Sequence, residues 1–466
     1  MRRFTALTCT IASALALGAL PATSGAVDPP TCVVRGAPPK VGISELSRKQ
    51  ASDDGRLLDI RVHSDAMQGT QPLYVLLPRG YDASGRTRYP VLYLLHGALG
   101  GYTDWVDNGV EKHLGGAPFI VVMPDDGKDG SYSDWYGMVS GATDPIPSWE
   151  TYHLSELVPF VDRTFPTQPD RAHRFIAGLS SGGGGATKYA AARPGLFGAV
   201  GSFSGAVDTD LDYPTYANIS EALWGITALP GYGPDGHCTW GDPYTQRVVW
   251  RDNTATPMAE NLKGTPLFLA SGNGDPGPYD QDAPYTDPTE YEVGKMNVEL
   301  AKALDAAGIP HTDEFYGAGH HSWPYWMRDF DHFLAWLEPR IGAPVRAPAA
   351  FSYHTSRGDF GAWGWSFRAH RDVRENTYLR DVSSGGLGVV GSGSLDVVTA
   401  KLFEPRGLYL VRSGVGGPVR VRAGRQGRLR FHLDLGPSHA QQQTDFGAGA
   451  TDGWTHLRVT IRRASR

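Results

Sequence analysis

Short apolar runs alternate with longer amphipathic stretches through the first two thirds of the chain. The runs "YPVLYLLHG", "APFIVVMPDDG", "HRFIAG" and "PLFLASGNGD" are almost continuously apolar. Such runs are typical of strands that are buried on both faces of a sheet. "RLLDIRVHSD" and "PLYVLLPRGY" precede them and predict two further strands. Strands that alternate with helical patterns predict an α/β domain with a mostly parallel sheet.

Two stretches between these runs have the spacing of helices. "EVGKMNVELAKALDAAG" repeats apolar residues every three or four positions and ends at Gly308, a residue suited to a helix C-terminus. "WETYHLSELVPFVDRTF" also has an apolar face, but Pro159 lies within it. Because proline removes a backbone donor, we expect this helix to kink or restart there.

The pattern changes near residue 340. "RIGAPVRAPAA" is rich in Pro and Ala, and eight short β-like pieces with Gly-rich breaks follow it without a helical pattern. Their alternation predicts a small antiparallel β-sandwich. The sequence therefore predicts a signal peptide (1–26), an extended arm (27–50), an α/β domain (51–341), a linker (342–350) and a C-terminal sandwich (351–466).

The first residues have the features of a secretory signal peptide. Arg2 and Arg3 precede a short apolar stretch and then small residues, with cleavage predicted after Ala26. We therefore expect a secreted or cell-envelope protein. Cys32 and Cys238 remain after cleavage, and two cysteines in an oxidising compartment are expected to form a disulfide.

Charge and composition narrow the classes of partner. The formal charge of −6 over 466 residues gives no basic footprint for nucleic acid. No later stretch is long and apolar enough to be a transmembrane span. The acidic loop "GDPGPYDQDAPYTD" lacks the D-x-D-x-D-G spacing of a calcium loop, so no metal and no cofactor are expected.

The segment "RFIAGLSSGGGGATKYAA" carries the main chemical signal. "GLSSG", from Gly178 to Gly182, fits G-x-S-x-G between a predicted strand and a predicted helix. That context is the one a nucleophile elbow requires, and only Ser180 has glycine at both offsets. Ser180 is therefore the candidate nucleophile, and the backbone N–H of Ser181 is a candidate oxyanion donor at the start of the helix. The alternative is a Gly/Ser turn without chemistry.

A nucleophilic serine in this setting needs an acid and then a histidine later in the chain. "FYGAGHHSWPYW" offers His320 and His321 in a Gly-rich loop before an amphipathic helix. Asp275 directly follows a predicted strand, and Glu290 lies at the start of the next helix. The spacing does not separate these two acids.

The loop after "YLLHG" should supply the second oxyanion donor. The N–H of Ala98 is the natural candidate, because it comes just after His96 and Gly97 at a predicted strand end. We expect His96 to be a wall of the pocket or a buried structural residue rather than a catalytic one.

Several of these segments together resemble a known family. "LLHGALGGYTDW", "VVMPDDGKDGSYSDWY", "SWETYHLSELVPFVDRTF", "GLSSGGGGA", "ASGNGDPGP" and "GAGHHSWPYW" are similar to the esterase D and mycolyltransferase branch of the α/β-hydrolases. Within it, secreted mycolyltransferase-like proteins are the most similar. The resemblance covers roughly residues 55 to 340 and implies an α/β-hydrolase fold.

The resemblance also implies site residues by position. The family's residues fall on Ser180, His321 and Glu290, with oxyanion donors at Ala98 and Ser181. It favours Glu290 over Asp275, but the esterase branch carries an aspartate where Asp275 stands, so Asp275 remains the alternative acid. His96, Leu99 and Trp323 are expected beside the substrate.

Two departures limit what the resemblance implies. Mycolyltransferases have Asp-Gly where this chain has His96-Gly97, and an arginine where it has Leu99. Those two charged groups help to bind trehalose in the family, so the resemblance does not imply trehalose mycolylation for this chain.

We therefore expect a secreted serine esterase or acyltransferase acting on lipid or sugar esters, with water, an alcohol or a sugar as acceptor. A true mycolyltransferase or diacylglycerol acyltransferase is the alternative within this class. The alternative outside it is a catalytically idle protein that binds a cell-envelope glycan through the C-terminal sandwich. Trp363 and Trp365 in that region could stack on sugars or pack in the core.

Overall fold

The computed structural model describes residues 31–128, 130–209, 238–242, 245–414 and 417–464. The predicted signal peptide and the first residues of the expected arm lie outside these ranges.

A mostly parallel sheet forms the centre of the first domain. A short antiparallel ribbon of β1 (Cys32–Val34) and β7 (Gly137–Val139) lies apart from it. Within the described residues, the sheet strands are β2 (Ile43–Gln50), β3 (Leu57–Ser64), β4 (Gly69–Leu76), β5 (Val91–Leu95), β6 (Ile120–Pro124), β8 (Arg174–Leu179), β9 (Ala199–Phe203), β10 (Leu267–Ser271) and β11 (Thr312–Phe315). Their order is β11-β10-β9-β8-β5-β6-β4-β3-β2. The strands from β11 to β6 are parallel, and β4, β3 and β2 are antiparallel at one edge.

The helices of the described residues lie largely on the two faces of this sheet. They are α1 (Asp104–Asp107), α2 (Val110–Leu114), α3 (Trp149–Thr151), α4 (Val158–Thr164), α5 (Ser181–Ala192), α6 (Arg247–Arg251), α7 (Pro288–Ala306) and α8 (Trp323–Leu337). Short 3₁₀ turns occupy Arg171–His173, Ala259–Leu262 and Glu338–Arg340. A π-helical segment, Tyr152–Leu157, joins α3 to α4, and Pro159 lies in the first turn of α4. The helix is therefore irregular before the proline and restarts at it, as predicted.

Two apolar layers cover the sheet, and the pleat of β5 distributes its residues between them. Val91, Tyr93 and Leu95 face the layer that contains α5 and α7, whereas Leu92 and Leu94 face the layer of α1, α2 and α8. Successive side chains of a strand point to opposite faces, so an unbroken apolar run is required when both faces are covered. This explains why β5, β6, β8 and β10 could be recognised in the sequence.

The N-terminal segment, which the sequence predicted as an extended arm, contains two strands in its described residues. β1 pairs with β7, and β2 is an exposed edge strand that pairs with β3. The predicted disulfide joins Cys32 to Cys238. Strand pairing and the disulfide therefore hold the described part of this segment to the first domain.

The C-terminal region is a β-sandwich, as predicted. Its described strands are β12 (Phe351–Thr355), β13 (Asp359–Ala362), β14 (Trp365–His370), β15 (Thr377–Ser383), β16 (Gly386–Gly391), β17 (Ser394–Val398), β18 (Leu408–Ser413), β19 (Val419–Arg422), β20 (Arg430–Asp434) and β21 (Thr455–Arg463). They form two antiparallel sheets, β12-β15-β16-β21-β18-β19 and β13-β14-β17-β20. Both sheets contribute to one apolar core. The sequence pattern predicted eight of these strands and missed β12 and β13.

Candidate active site

The candidate site lies at the carboxyl edge of the parallel sheet, where open α/β sheets bind their ligands. β8 is a central strand that pairs with β5 on one side and β9 on the other. The chain leaves β8 at Leu179 and enters α5 at Ser181, so Ser180 occupies the turn between them. The loops after β5, β9 and β10 end at the same edge.

Ser180 adopts a strained backbone conformation. Its φ of 54° and ψ of −124° are rare for a residue with a side chain. Glycine is required at the two flanking positions. A Cβ at Gly178 would lie 2.4 Å from the carbonyl group of Gly182, and one at Gly182 would lie 2.5 Å from the carbonyl oxygen of His96. The geometry is that of a nucleophile elbow.

The four consecutive glycines are helical and buried rather than a flexible loop. A Cβ at Gly184 would lie 2.3 Å from the carbonyl oxygen of Ala206, and one at Gly185 would lie 2.5 Å from the ring of Tyr132. The glycines therefore let α5 pack directly against neighbouring backbone and rings. The N-terminus of α5, with its positive dipole end, is held in place beside Ser180.

A continuous line of hydrogen bonds runs from Ser180 to a buried carboxylate. His321 Nε2 lies 2.9 Å from Ser180 Oγ, and His321 Nδ1 lies 2.8 Å from Glu290 Oε2. Glu290 is 0% exposed. An ionised Glu290 accepts the Nδ1–H of His321, which leaves Nε2 unprotonated and ready to accept the Ser180 hydroxyl proton.

Two donors hold the other oxygen of Glu290. Oε1 accepts hydrogen bonds from Ser204 Oγ at 2.8 Å and from the Gly272 backbone N–H at 2.6 Å. Ser204 follows β9 directly and has a φ of 46°, and Gly272 follows β10. Because these two hydrogen bonds fix Oε1, the other carboxylate oxygen, Oε2, faces His321.

The candidate acid Asp275 lies elsewhere. It is exposed, and its Oδ2 accepts a hydrogen bond from the Asn273 side chain at 3.0 Å. His320, the other candidate histidine, is buried and lies 3.3 Å from Asp280 rather than beside Ser180. The structure thus brings Glu290 and His321 together with Ser180, and does not bring Asp275 or His320 to them.

Two peptide groups beside Ser180 have carbonyl oxygens that accept hydrogen bonds, which fix the orientation of each peptide. The Gly97 carbonyl accepts from His96 Nδ1 at 2.8 Å, and the Ser180 carbonyl accepts from the Ala206 N–H at 3.0 Å. In a trans peptide the N–H points opposite to the carbonyl, so these bonds also orient the N–H groups of Ala98 and Ser181. Within the described residues, neither N–H donates a hydrogen bond to the protein.

His96 is enclosed behind this loop. Its Nε2 accepts from the Asp126 backbone N–H at 2.9 Å, so its Nδ1 carries the proton that is donated to the Gly97 carbonyl. Both ring nitrogens are thereby engaged by the backbone. The ring is therefore placed to hold the loop that follows β5.

Leu99 and Trp323 border the site in different ways. Leu99 is 61% exposed with a φ of 65°. Trp323 begins α8, and its ring packs edge-on against Trp105 and Trp326 with centroids 5.4 Å apart in both pairs. Trp326, which sequence reasoning did not select, contacts the His321 ring edge-on at 4.9 Å.

A second buried carboxyl group lies behind Glu290. Asp329 of α8 is 0% exposed and pairs with Arg328 at 2.7 Å. Desolvation raises the pKa of Asp329 well above its ordinary value, and Glu290 adds to this effect although Arg328 opposes it.

Other kinds of site are not found in the described part of the chain. No cluster of three or more His, Cys, Asp or Glu side chains suits a metal ion there. No helix among the described residues is long and apolar enough to cross a membrane. A cavity of about 430 Å³ lies between the two domains, is lined by residues of both, and contains none of the candidate site residues.

The fold and this geometry define the class of protein as an α/β-hydrolase with a serine elbow. The family model described as "Putative esterase" matches residues 64–337, more than half of the chain. The chain therefore belongs to this esterase family.

Individual proteins are similar to parts of the chain. Esterase Rv1288 of Mycobacterium tuberculosis is 34% identical over 303 residues, which cover 62% of this chain and 62% of that protein. The chain thus spans less than two thirds of that relative's length. Diacylglycerol acyltransferase/mycolyltransferase Ag85A of Mycobacterium leprae is 28% identical over 268 residues, covering 56% of this chain and 78% of that protein.

Among solved structures, an S-formylglutathione hydrolase from Agrobacterium tumefaciens is similar with a TM-score of 0.48 and 18% identity. The match covers 64% of this chain and 99% of that one.

Proposed function

We propose that the protein is a serine esterase or acyltransferase that acts on acyl esters through an acyl-enzyme intermediate on Ser180. The observation that carries the proposal is the hydrogen-bonded line from Ser180 Oγ through His321 to Glu290, at 2.9 and 2.8 Å. These groups come from three separate elements and meet at the edge of the sheet. Nucleophile, base and orienting acid in hydrogen-bond reach are the signature of nucleophilic acyl transfer.

The first half of the reaction forms the acyl-enzyme. Ser180 Oγ attacks the ester carbonyl carbon while His321 Nε2 takes the hydroxyl proton. Glu290 keeps the Nδ1–H and stabilises the imidazolium. The N–H groups of Ala98 and Ser181 hold the oxyanion, each contributing about 3–4 kcal/mol to the transition state. His321 then gives its proton to the departing alcohol as the C–O bond breaks.

The second half releases the acyl group. Water or an alcohol gives its proton to His321 Nε2 as its oxygen attacks the acyl carbon, and Ser180 recovers the proton as the ester bond to it breaks. Water as acceptor gives hydrolysis, and an alcohol or sugar gives transfer. The same protein groups serve both outcomes, and no cofactor or metal takes part in either.

Secretion is part of the proposal. The predicted signal peptide ends at Ala26, and the Cys32–Cys238 disulfide is of the kind that persists in oxidising compartments. The substrate would then be an ester outside the cytoplasm. Because His96 and Leu99 replace the charged pair of mycolyltransferases, we favour an esterase over a trehalose mycolyltransferase.

An idle glycan-binding protein is the weaker alternative. Trp365 is buried in the sandwich core, and the ring of Trp363 stacks at 4.2 Å on the guanidinium of Arg171 in the first domain. Neither ring is therefore an open stacking platform for a sugar. A protein without catalytic activity would also not need the hydrogen bonds that join Ser180, His321 and Glu290.

Labelling with a fluorophosphonate probe tests the proposal. We expect the mature protein to be labelled, the Ser180→Ala variant to be unlabelled, and the Ser181→Ala variant to be labelled like wild type. Ser181 is a matched control because the mechanism uses its backbone N–H and not its side chain. Absence of labelling in wild type, or labelling that persists without Ser180, would contradict the proposal.

Product analysis separates hydrolysis from transfer. The purified protein would be given a chain-length series of acyl esters with water alone, a sugar or diacylglycerol as acceptor. An acylated acceptor would identify a transferase, and free acid alone would identify an esterase for those substrates.

A further inference from the structure

Asp287 has two carboxylate oxygens that serve two different segments of the site. It immediately precedes α7, the helix whose third residue is Glu290. Its Oδ1 accepts hydrogen bonds from the backbone N–H groups of Thr289 at 2.8 Å and Glu290 at 3.3 Å. These bonds make Asp287 the N-cap of the helix, and they fix the backbone at Glu290 itself.

The other oxygen reaches the loop that carries the base. Asp287 Oδ2 accepts a hydrogen bond from the backbone N–H of His321 at 2.9 Å, across 34 positions of sequence. A helix cap needs only one acceptor oxygen, so capping does not account for this second bond. The Asp287 carboxylate therefore links the backbone at Glu290 to the backbone at His321.

The backbone of Asp287 is itself fixed at the end of the sheet. Its N–H donates to the Gly274 carbonyl at 2.7 Å, and the Gly274 N–H donates to the Gly319 carbonyl at 3.1 Å. Gly319 lies two residues before His321. The carboxylate thus bridges two segments that are already neighbours, and it sets the position of one relative to the other.

We propose that Asp287 is a positioning residue that holds His321 in register with Glu290 and Ser180. This inference rests on the proposed function of Ser180, His321 and Glu290. Asp287 touches neither substrate nor reacting atoms, so it acts through the placement of the imidazole. A misplacement of about 1 Å at a reacting group costs up to about 100-fold in rate.

Two substitutions of Asp287 distinguish its proposed role in positioning His321 from its role as the N-cap of α7. Asp287→Asn and Asp287→Ser both keep an acceptor of the kind preferred at an N-cap. Neither offers a second acceptor to the His321 N–H, since asparagine would present a donor there and serine has one oxygen. Asp82→Asn is the matched control, because Asp82 also accepts from two backbone N–H groups, those of Ser84 and Thr87, in an exposed loop.

We expect both Asp287 variants to lower kcat roughly 10- to 100-fold with KM and the thermal midpoint close to wild type. Asp82→Asn should leave kcat unchanged. A wild-type kcat in a folded Asp287→Asn variant would overturn the inference. A kcat that falls only in proportion to lost folded protein, or failure of both variants to fold, would also overturn it, since either would make the role structural.

The experiments test the proposed function and the positioning role of Asp287 separately. If wild type shows no labelling or turnover that depends on Ser180, the proposed function is wrong. If that dependence holds and the Asp287 variants turn over normally, only the positioning role is wrong.

Discussion

Two buried carboxylate clusters show how the same kind of group serves two purposes in this molecule. Glu290 at the sheet edge faces a histidine and two neutral donors. Glu150, at the boundary between the domains, forms two parallel hydrogen bonds with Arg357 of the sandwich, at 2.7 and 2.8 Å. Asp252 completes that second cluster by accepting from Thr355 and Ser356.

The difference lies in whether the partner of the carboxylate can change its charge. Desolvation lowers the pKa of Arg357, but Glu150 and Asp252 outweigh it and hold the pKa above its ordinary value. Arg357 therefore stays cationic, and its paired contacts with the carboxylates suit docking of the two domains. Glu290 faces an imidazole that can gain a proton, so its charge is available when His321 becomes cationic. A partner with a fixed charge, such as Arg357, suits a structural contact, whereas a partner that can gain and lose a proton, such as His321, suits catalysis.

Glu290→Gln should have the largest effect on activity. Gly272 N–H and Ser204 Oγ–H would select the amide oxygen at the Oε1 position, which turns the amide NH₂ toward His321. The histidine would then carry its proton on Nε2 and could not accept one from Ser180. We expect kcat for a nitrophenyl ester to fall on the order of 10⁴-fold with a similar KM.

Glu150→Gln is the matched comparison, a second buried glutamate in the other cluster. It should lower the thermal midpoint while the folded fraction keeps its kcat. More than a tenth of the wild-type kcat in Glu290→Gln would show that the carboxylate does not set the histidine tautomer.

Arg357→Met should have the largest effect on stability. It removes the cation that forms ion pairs with Glu150 and Asp252, and breaking a buried ion pair in this way costs about 3–5 kcal/mol. Denaturant unfolding measures the loss, and turnover per folded molecule should not change. Arg368→Met is the control, because Arg368 and Asp359 form a pair in the same domain with side chains 63% and 61% exposed. Equal effects of the two substitutions would mean that burial does not distinguish these pairs.

Local sequence signals predicted the elbow but not the surroundings of the acid. Gly178 is needed for a close contact with Gly182 in the same turn and Gly182 for one with the His96 carbonyl, and both lie two positions from Ser180, so their spacing is visible in the chain. The choice between Glu290 and Asp275 depends on how the loop after β10 turns, which spacing does not determine. In the structure this loop directs Asp275 toward Asn273 and solvent.

The supporting residues were missed because they act through tertiary contacts. Ser204 follows β9, a strand that the apolar pattern did not reveal, and Trp326 meets His321 only after α8 packs on the sheet. A signal for Asp287 was present, since "TDPTE" places an N-cap residue before a proline at a helix start. Its second hydrogen bond, to His321, could not be read from the sequence.

Ser204→Ala should have a moderate effect on activity. It removes one of two donors to Glu290 Oε1 and leaves the Gly272 N–H in place. A hydrogen bond to a charged group contributes about 1.5–3 kcal/mol, so we expect kcat to fall roughly 10- to 100-fold. Ser202→Ala is the control, since Ser202 is buried nearby and its hydroxyl has no partner among the described residues. Equal kcat values for the two variants would contradict a role for Ser204 in holding the acid.

Lys188 gives the smallest predicted effect. It lies on α5, the helix that begins beside Ser180, and its ammonium donates to the Ser131 carbonyl at 3.1 Å, to the Tyr132 carbonyl and to Ser133 Oγ at 2.7 Å. Desolvation lowers the pKa of Lys188 to about 8, although Glu150 opposes this and Arg357 reinforces it. The folded protein therefore releases this proton at a lower pH than the unfolded chain, whose lysine keeps the ordinary value of about 10.5.

The sign of the pH dependence follows from that difference. Between about pH 8 and 10.5 the unfolded state binds more protons at this site, so Lys188 makes the free energy of unfolding rise with pH, by at most about 1.4 kcal/mol per pH unit. The rise should be absent in Lys188→Met and present in Lys302→Met, which alters an exposed lysine of α7. Denaturant unfolding across this range measures it as the difference between wild type and each variant. Parallel curves for wild type and Lys188→Met would mean that Lys188 keeps its ordinary pKa in the folded protein.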